Sequence, residues 1–432
     1  MKYVILLLLI VTTVSASARD LSLGDAYTLA RQHAYSLKKA AAEREAAESA
    51  LNAARSERYP TLSADARAQY ISYVPTLDIN IPPNFQLTRE VGTKDNYQTD
   101  LRLTMPLFTG GRISGGINLA KATRDYYQAL EQTDIDQLYH LTRVEYLGLY
   151  RMDRALDAAN AALKRARVIA ADVDSAFAGG VADSVDILEA QLAVSNAEFG
   201  VKRAESDRRS SEIRLDVLLG LPADESLTLT TELPSPEPVE LTSTVASDKP
   251  ELMAADMGVK MTQSSVKLSR ANYFPTVSAF GGYSYGKPNL DRFNNTWNDY
   301  FTVGATLSWS FNLFGKTVHK SSQARWNLEA SRQQRDNVAE QLNRGVKLAI
   351  EQVKLAYERY RNAHQQYTIS SNNYRLAKMK HDQGALSTNH LLEIDANLTA
   401  AEASLAAAEA EYHIAMSNYY YAVGSPELRE GK

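Results

Sequence analysis

Seven histidines are spread through the 432 residues, and only His381 and His390 lie close together in sequence. A metal centre or a proton-transfer site needs ligands and bases that converge, and this spacing gives no such cluster. H-E-x-x-H and G-x-G-x-x-G are missing, and the overlapping G-x-S-x-G (Gly282 to Gly286) and G-x-x-x-x-G-K (Gly281 to Lys287) fall in a run of strand period, with Pro288 where a phosphate loop needs Ser or Thr, so the common zinc, phosphate, acyl-transfer and dinucleotide chemistries have no supported local signature. The chain has no cysteine. Disulfides, thiolate metal sites and a cysteine-linked lipid are excluded together. The expectation is a protein that is not an enzyme, carries no metal or cofactor and is not lipidated.

Electrostatics narrows the partners. Lys and Arg number 47 against 51 Asp and Glu, a formal charge of -4. Phosphate binding needs a basic face, so no nucleic acid is expected. The chain opens with Lys2, an apolar run from Val4 to Val14, then Ala16-Ser17-Ala18 before Arg19-Asp20. This is the order of a secretory signal, with cleavage expected after Ala18. Its apolar stretch is too short to span a bilayer, which takes about 20 residues. Charge interrupts every later apolar run, so any membrane insertion must use strands.

The elements that position these residues come in two copies. Tyr59-Pro60-Thr61-Leu62-Ser63-Ala64 matches Phe274-Pro275-Thr276-Val277-Ser278-Ala279, and Leu107-Phe108 before Gly110 matches Leu313-Phe314 before Gly315. The stretch from Gly180 to Glu189 matches Gly384 to Glu393, and Gly220-Leu221-Pro222 matches Gly424-Ser425-Pro426. The expected organisation is a signal peptide at 1–18, a first repeat at 19–220, a Pro-rich linker at 221–249, a second repeat at 250–424 and a tail at 425–432.

Near the Pro and Leu-Phe landmarks the apolar period becomes two. Leu62, Ala64, Ala66, Ala68 and Tyr70 alternate with polar residues, as do Tyr97, Leu101, Leu103, Met105 and Leu107. In the second repeat the apolar faces are Val277, Ala279, Gly281, Tyr283 and Tyr285, then Phe301, Val303, Ala305, Leu307, Trp309 and Phe311. Strands of about 10 residues with aromatic ends and one polar face suit a membrane barrel. Leu101, Leu103, Val303, Leu307 and Trp309 are the expected lipid-facing positions. Four strands are too few for a barrel of about eight or more, and open edges are not tolerated in lipid, so several copies must share one barrel. The same alternation also fits a soluble four-stranded sheet with one wet face.

Elsewhere apolar and small residues recur at alternating steps of three and four. Leu149, Met152, Leu156, Ala159, Leu163, Ala166, Ala170, Val173 and Phe177 form one such line within Arg112 to Phe177. Val346, Ala349, Val353, Ala356, Tyr360, Ala363, Tyr367, Ser370, Tyr374 and Ala377 form a second, and Leu391 to Ala422 a third. These are coiled-coil seams. About 65 helical residues extend roughly 100 Å. Gly180 and Gly384 then reverse the chain into returning helices capped by a Ser or Thr, making the tips of two helical hairpins.

With these landmarks in place, residues 21 to 426 resemble the outer-membrane efflux and secretion channels typified by TolC. The resemblance rests on the duplicated tip motifs, Gly180 to Gln191 and Gly384 to Glu393, and on the Gly-x-Pro closures. It implies a mainly α protein with a transmembrane β-barrel: a homotrimer with a 12-stranded barrel in outer-membrane lipid and a 12-helix periplasmic tunnel. It also implies partners, a periplasmic adaptor and an inner-membrane transporter of a tripartite pump or type I secretion system. The loops Val74–Asn96 and Gly286–Asp299 would face outside. The tips, with Gly180, Val181, Ser184, Gly384, Ala385 and Ser387, would meet the adaptor.

In that family acidic residues ring the periplasmic aperture. The matching positions are His390 and Glu393, with Asp186 and Glu189 in the first repeat, and His381 stands where an aromatic gate partner is expected opposite Asp186. Histidine in place of an acid makes opening expected to depend on pH near neutrality. A rival reading is a periplasmic adaptor, which would carry one hairpin and a soluble β-rich body.

Overall fold

The computed structural model describes residues 19–222, 225–292, 294–311 and 313–430. The expected secretory signal at 1–18 lies outside the described residues. The elements follow in the order β1 (Arg19–Leu21), α1 (Leu23–His33), α2 (Tyr35–Ser56), β2 (Thr61–Tyr70), β3 (Thr76–Ile81), β4 (Phe85–Glu90), β5 (Asp95–Phe108), α3 (Arg112–Ala178) and α4 (Ser184–Leu219). After these come β6 (Leu227–Leu229), α5 (Pro250–Ala271), β7 (Thr276–Lys287), β8 (Asn298–Ser308), α6 (Lys316–Asp382) and α7 (Thr388–Val423). Repeated helices match in length: α2 and α5 have 22 residues each, α3 and α6 have 67, and α4 and α7 have 36.

Two compact units form, and each draws on both repeats. One takes the chain up to Ala41, Leu130–Leu252 and everything from Val338 onward; the other takes Ala42–Ala129 and Met253–Asn337. In the second unit the sheet order is β2-β5-β7-β8, antiparallel throughout. The register sets Leu62 beside Leu103, Leu101 beside Tyr283 and Tyr283 beside Phe301. Because side chains alternate across a strand, the apolar residues of all four strands share one face, apart from Phe280 of β7. Ser63, Asp65, Asp100, Arg102, Ser284 and Thr302 share the other.

Two details of this sheet differ from expectation. β8 stops at Ser308, so Trp309 and Phe311 lie beyond the strand. Ser308 pairs with Thr276, the first residue of β7, and the preceding Pro275 has no N–H to extend the ladder. Trp309 instead donates its indole N–H to the Tyr273 carbonyl. The second detail is the segment Val74–Asn96, expected as a loop, which holds the hairpin β3-β4. Leu77, Ile79 and Ile81 pair across it with Arg89, Leu87 and Phe85, an alternation short enough to be overlooked.

The first unit packs around two hydrophobic cores away from the hairpin tips. Leu23, Ala26, Tyr27 and Ala30 of α1 pack with Leu138, Tyr146 and Leu149 of α3, Leu215 and Leu219 of α4, and Leu227. A Ser22–Asp25 capping box starts α1, and β1 pairs in parallel with β6. Burial of a Leu side chain contributes about 1.5–3 kcal/mol, so this group anchors the chain's start to the linker. The second core joins Ala349, Val353 and Ala356 of α6 to Tyr412, Ala415, Met416 and Tyr419 of α7. All of these but Met416 are positions of the seams described above. Along α3 the expected seam residues Leu149, Ala166 and Val173 are buried, Ala162 and Ile169 are buried in place of Leu163 and Ala170, and Phe177 is exposed.

Candidate functional site

Each hairpin tip turns on one glycine. Gly180 has φ +73° and Gly384 has φ +73°, a left-handed conformation that costs other residues about 1–2 kcal/mol. The turns are built alike: Val181 N–H donates to the Ala176 carbonyl and Ala385 N–H to the Lys380 carbonyl, both at 2.9 Å. Ser387 caps α7, its hydroxyl accepting from the His390 N–H. In the first hairpin the expected Ser184 is not the cap. Asp183 accepts from the N–H groups of Val185 and Asp186, and the Asp186 carboxylate accepts from the Asp183 N–H. An aspartate outcompetes the neighbouring serine here because its ionised oxygens face the positive end of the helix.

The two tips pack on each other. Ile169 and Val173 of α3, Ala190 of α4, Ala377 of α6, and Leu391 and Ile394 of α7 form one buried cluster. Small residues at 190 and 377 let the helices approach closely. Val181, Gly180, Ser184, Gly384, Ala385 and Ser387 are exposed at the turns, with Val181 at 82%.

The expected gate residues divide. His390 and Glu393 are both exposed on the first turns of α7, with Nδ1 3.3 Å from Oε2. Glu189 is partly exposed on α4. The expected facing of His381 and Asp186 is not made within the chain: Asp186 closes the capping box, and His381 Nε2 lies 3.4 Å from the Thr388 hydroxyl of its own hairpin.

A buried polar network that sequence reading missed ties the hairpins together. Arg165 of α3 donates to Asp395, to the Thr399 hydroxyl at 2.9 Å and to both carboxylate oxygens of Glu402 at 3.1 and 3.0 Å. Its guanidinium also lies 5.7 Å from the Tyr374 ring centre. The side chains of Arg165, Asp395 and Glu402 are 16%, 10% and 19% exposed. Burial pushes the Asp395 carboxyl above the usual range, against the pull of Arg165. Lys378 of α6 adds a second tie, 2.6 Å from Asp172 of α3. The i, i+4, i+7 spacing of Asp395, Thr399 and Glu402 was the available signal, because it places three oxygen ligands on one helical stripe.

Beside the second core, Lys249 is buried and donates to the Tyr421 and Ala422 carbonyls at the end of α7. There it satisfies the orphan groups of the helix terminus. His413 is also buried, and burial lowers its pKa to about 4. Among the described residues no group of three or more His, Asp or Glu is placed to hold a metal ion. No described helix is long and apolar enough to cross a membrane.

The sheet carries the other half of the site. Its apolar face is bare: Leu101, Leu103, Val303 and Leu307 are exposed, Val303 at 80%. Exposed aromatics gather at both ends, with Tyr59, Phe274, Trp309 and Phe311 at one and Tyr70, Tyr97, Tyr285 and Trp297 at the other. Trp297 stacks on Tyr285, ring centres 5.1 Å apart. On the polar face Arg102 lies 4.4 Å from the Phe280 ring centre, and Gln98 donates to Asp100. An apolar band between two aromatic girdles, with a polar reverse, is the surface pattern of a strand set that meets lipid on one side and water on the other.

Similarity to known proteins agrees with this geometry. The chain is 22% identical over 289 residues to the probable outer membrane lipoprotein SilC of Salmonella typhimurium, covering 64% of this chain and 56% of that one. It is 22% identical over 314 residues to the toluene efflux pump outer membrane protein TtgI of Pseudomonas putida, covering 69% and 61%. The chain thus matches under two thirds of the length of these curated relatives. In three dimensions the outer-membrane channel OprN superposes with a TM-score of 0.77 at 18% identity, over 94% of this chain and 91% of that one. The family described as outer membrane efflux protein matches residues 26–221 and 241–425, and the chain belongs to it.

Proposed function

We propose that the chain is one subunit of a homotrimeric outer-membrane duct, the passive exit of a tripartite efflux pump or type I secretion system. The observation that carries this reading is the four-stranded sheet, whose apolar face is bare and whose β2 and β8 edges are unpaired among the described residues. Each unpaired backbone group in lipid costs several kcal/mol, so β2 of one copy pairs with β8 of the next until the barrel closes. Three copies give twelve strands. With no cysteine in the chain, attachment to the membrane is through this barrel and not through a thioether-linked lipid. The family match and the duplicated hairpins favour a channel over a periplasmic adaptor.

The tips with Val181, Ser184, Ala385 and Ser387 are the docking points for the adaptor, which with the inner-membrane transporter opens the duct. Three copies of Glu393, beside His390, place negative charge in a narrow mouth and favour cations there. His390 or His381 makes opening depend on pH, and identical open probability at about pH 5.5 and 8 would remove that role.

The test is fractionation followed by electrophoresis. The protein is expected in the outer-membrane pellet after a high-salt wash, running as a trimer unless heated; a water-soluble monomer overturns the reading. In planar bilayers Glu393→Gln is expected to relieve block by divalent cations, and unchanged block and conductance removes its role.

A further inference from the structure

We propose that a cavity at the loop end of the sheet's polar face binds a small acidic sugar, one that carries a phosphate or a carboxylate. The chemistry of the site lies within one chain, and only the side from which a solute reaches it rests on the duct reading above. The cavity has a volume of about 360 Å³, within the range of small-molecule sites. The polar face of β2 and β5 contributes Arg67 and Gln98, which stand opposite each other in the register. The remaining sides come from the chain leading into and out of the β3-β4 hairpin and from the loop between β7 and β8.

That loop is tied down. Asn289 donates its amide N–H groups to the Ser284 carbonyl at 3.3 Å and to the Asn298 carbonyl at 3.2 Å, joining the end of β7 to the start of β8. Gly286 permits the close approach, since a Cβ there would lie 2.8 Å from the Tyr97 carbonyl oxygen.

Donors and acceptors are sorted around the cavity. Asn96, Gln98 and Asn289 all direct their amide nitrogens at the protein, Asn96 at the Thr93 carbonyl and Gln98 at Asp100 and Ser284. Among the described residues no donor reaches their amide oxygens, so these acceptors are left for hydroxyl groups. Arg67 and Arg292 supply the charge: both are exposed, and neither has an ion-pair partner among the described residues. No described lining residue is acidic. Asp65 and Asp100 stand on the same face one side-chain step deeper, about 7 Å along the strand. Guanidinium groups hold a phosphate or a carboxylate through paired N–H donors. A bare anion would leave the amide oxygens unmet, and a neutral sugar would leave the arginines unmet. An acidic sugar meets both. Tyr73, which also lines the cavity and is 75% exposed, offers an apolar surface for the sugar ring. The cavity is built on the polar face, away from the bare apolar one, so the occupant is a free solute and not a lipid headgroup.

Calorimetry on the purified full chain in detergent, with glucose 6-phosphate as the probe, tests the site. Saturable binding is expected, tighter than for glucose or inorganic phosphate alone. Arg67→Gln and Arg292→Gln are each expected to weaken it about tenfold, and the double variant to leave none measurable. Arg203→Gln, which removes an exposed arginine of α4, is expected to change nothing. Affinity no greater than that for inorganic phosphate overturns the proposal without recourse to any variant, and so does affinity unchanged in the double variant. In planar bilayers the duct reading adds that glucose 6-phosphate blocks from the loop side at lower concentration than from the tip side. Binding without block faults the duct reading and supports the site; block that persists in the double variant faults the site and leaves the duct. Lipid phosphate that copurifies with the unchanged chain and is lost from the double variant would make a membrane glycolipid the occupant and overturn the assignment to a free sugar.

Discussion

Replacing Arg165 by Met is the sharpest test of how the two hairpins are held. The substitution keeps most of the side chain's length and removes its charge, leaving Asp395 and Glu402 side by side with 10% and 19% of their side chains exposed. Removing one partner of a buried ion pair costs about 3–5 kcal/mol, chiefly because the remaining charge stays buried and uncompensated. Part of this is recovered because burial already favours the protonated form of Asp395, so the low end applies. About 3 kcal/mol corresponds to a change of roughly 150-fold in a local opening equilibrium. Amide hydrogen exchange reads this directly: protection across 391–402 is expected to fall by that order, while protection in the α6–α7 core around Tyr412 to Tyr419 stays unchanged. The triple variant Arg165→Met, Asp395→Leu, Glu402→Met, which leaves no buried charge behind, is expected to regain most of the protection. A loss below about threefold in the single variant, or a triple variant as damaged as the single, would refute the claim that compensated burial holds this seam.

The turn glycines supply a paired comparison. Gly180 and Gly220 have almost the same φ, but a Cβ at Gly180 meets nothing within 4 Å, whereas at Gly220 it would sit 2.5 Å from the His33 ring. Gly180→Ala is expected to cost about 1 kcal/mol from the backbone alone, and Gly220→Ala about 1–3 kcal/mol more from overlap; equal losses in thermal unfolding would remove the steric argument. His413 contributes a pH dependence. Its folded pKa of about 4 lies below the ordinary value because of burial first and Arg143 second. A lowered imidazole pKa means the unfolded chain binds the proton first, so this stability is complete above about pH 6.5 and is lost progressively as pH falls towards 4, roughly 3 kcal/mol in all. Thermal unfolding of His413→Phe is expected to show a shallower decline below neutrality than the unchanged chain, and parallel declines would refute it.

The periodic parts of this protein were legible before any coordinates. An apolar residue at every second position in Leu62 to Tyr70, or at alternating three- and four-residue steps in Leu391 to Ala422, can bury one face only as a strand or a helix, so local pattern names the element. The duplication was equally plain, because Gly180, Gly220, Gly384 and Gly424 mark turns that need a left-handed backbone. Reading failed where a choice depended on competition or distance. Ser184 lost the cap to Asp183, one residue earlier; the strand containing Val303 ended at Ser308 for want of a partner; the β3-β4 hairpin was too short to stand out.

The order of the repeated helices and strands, most of their amphipathic faces and the glycine turns were therefore determined by sequence alone, since they depend on neighbours within a few residues. Tertiary structure decided which helices meet. Arg165 is separated in sequence by more than two hundred residues from Asp395 and Glu402, and no local period distinguishes it from the other arginines of a solvated helix face. Only when α3 lies against α7 does its charge leave water, and only then does its pairing carry energy.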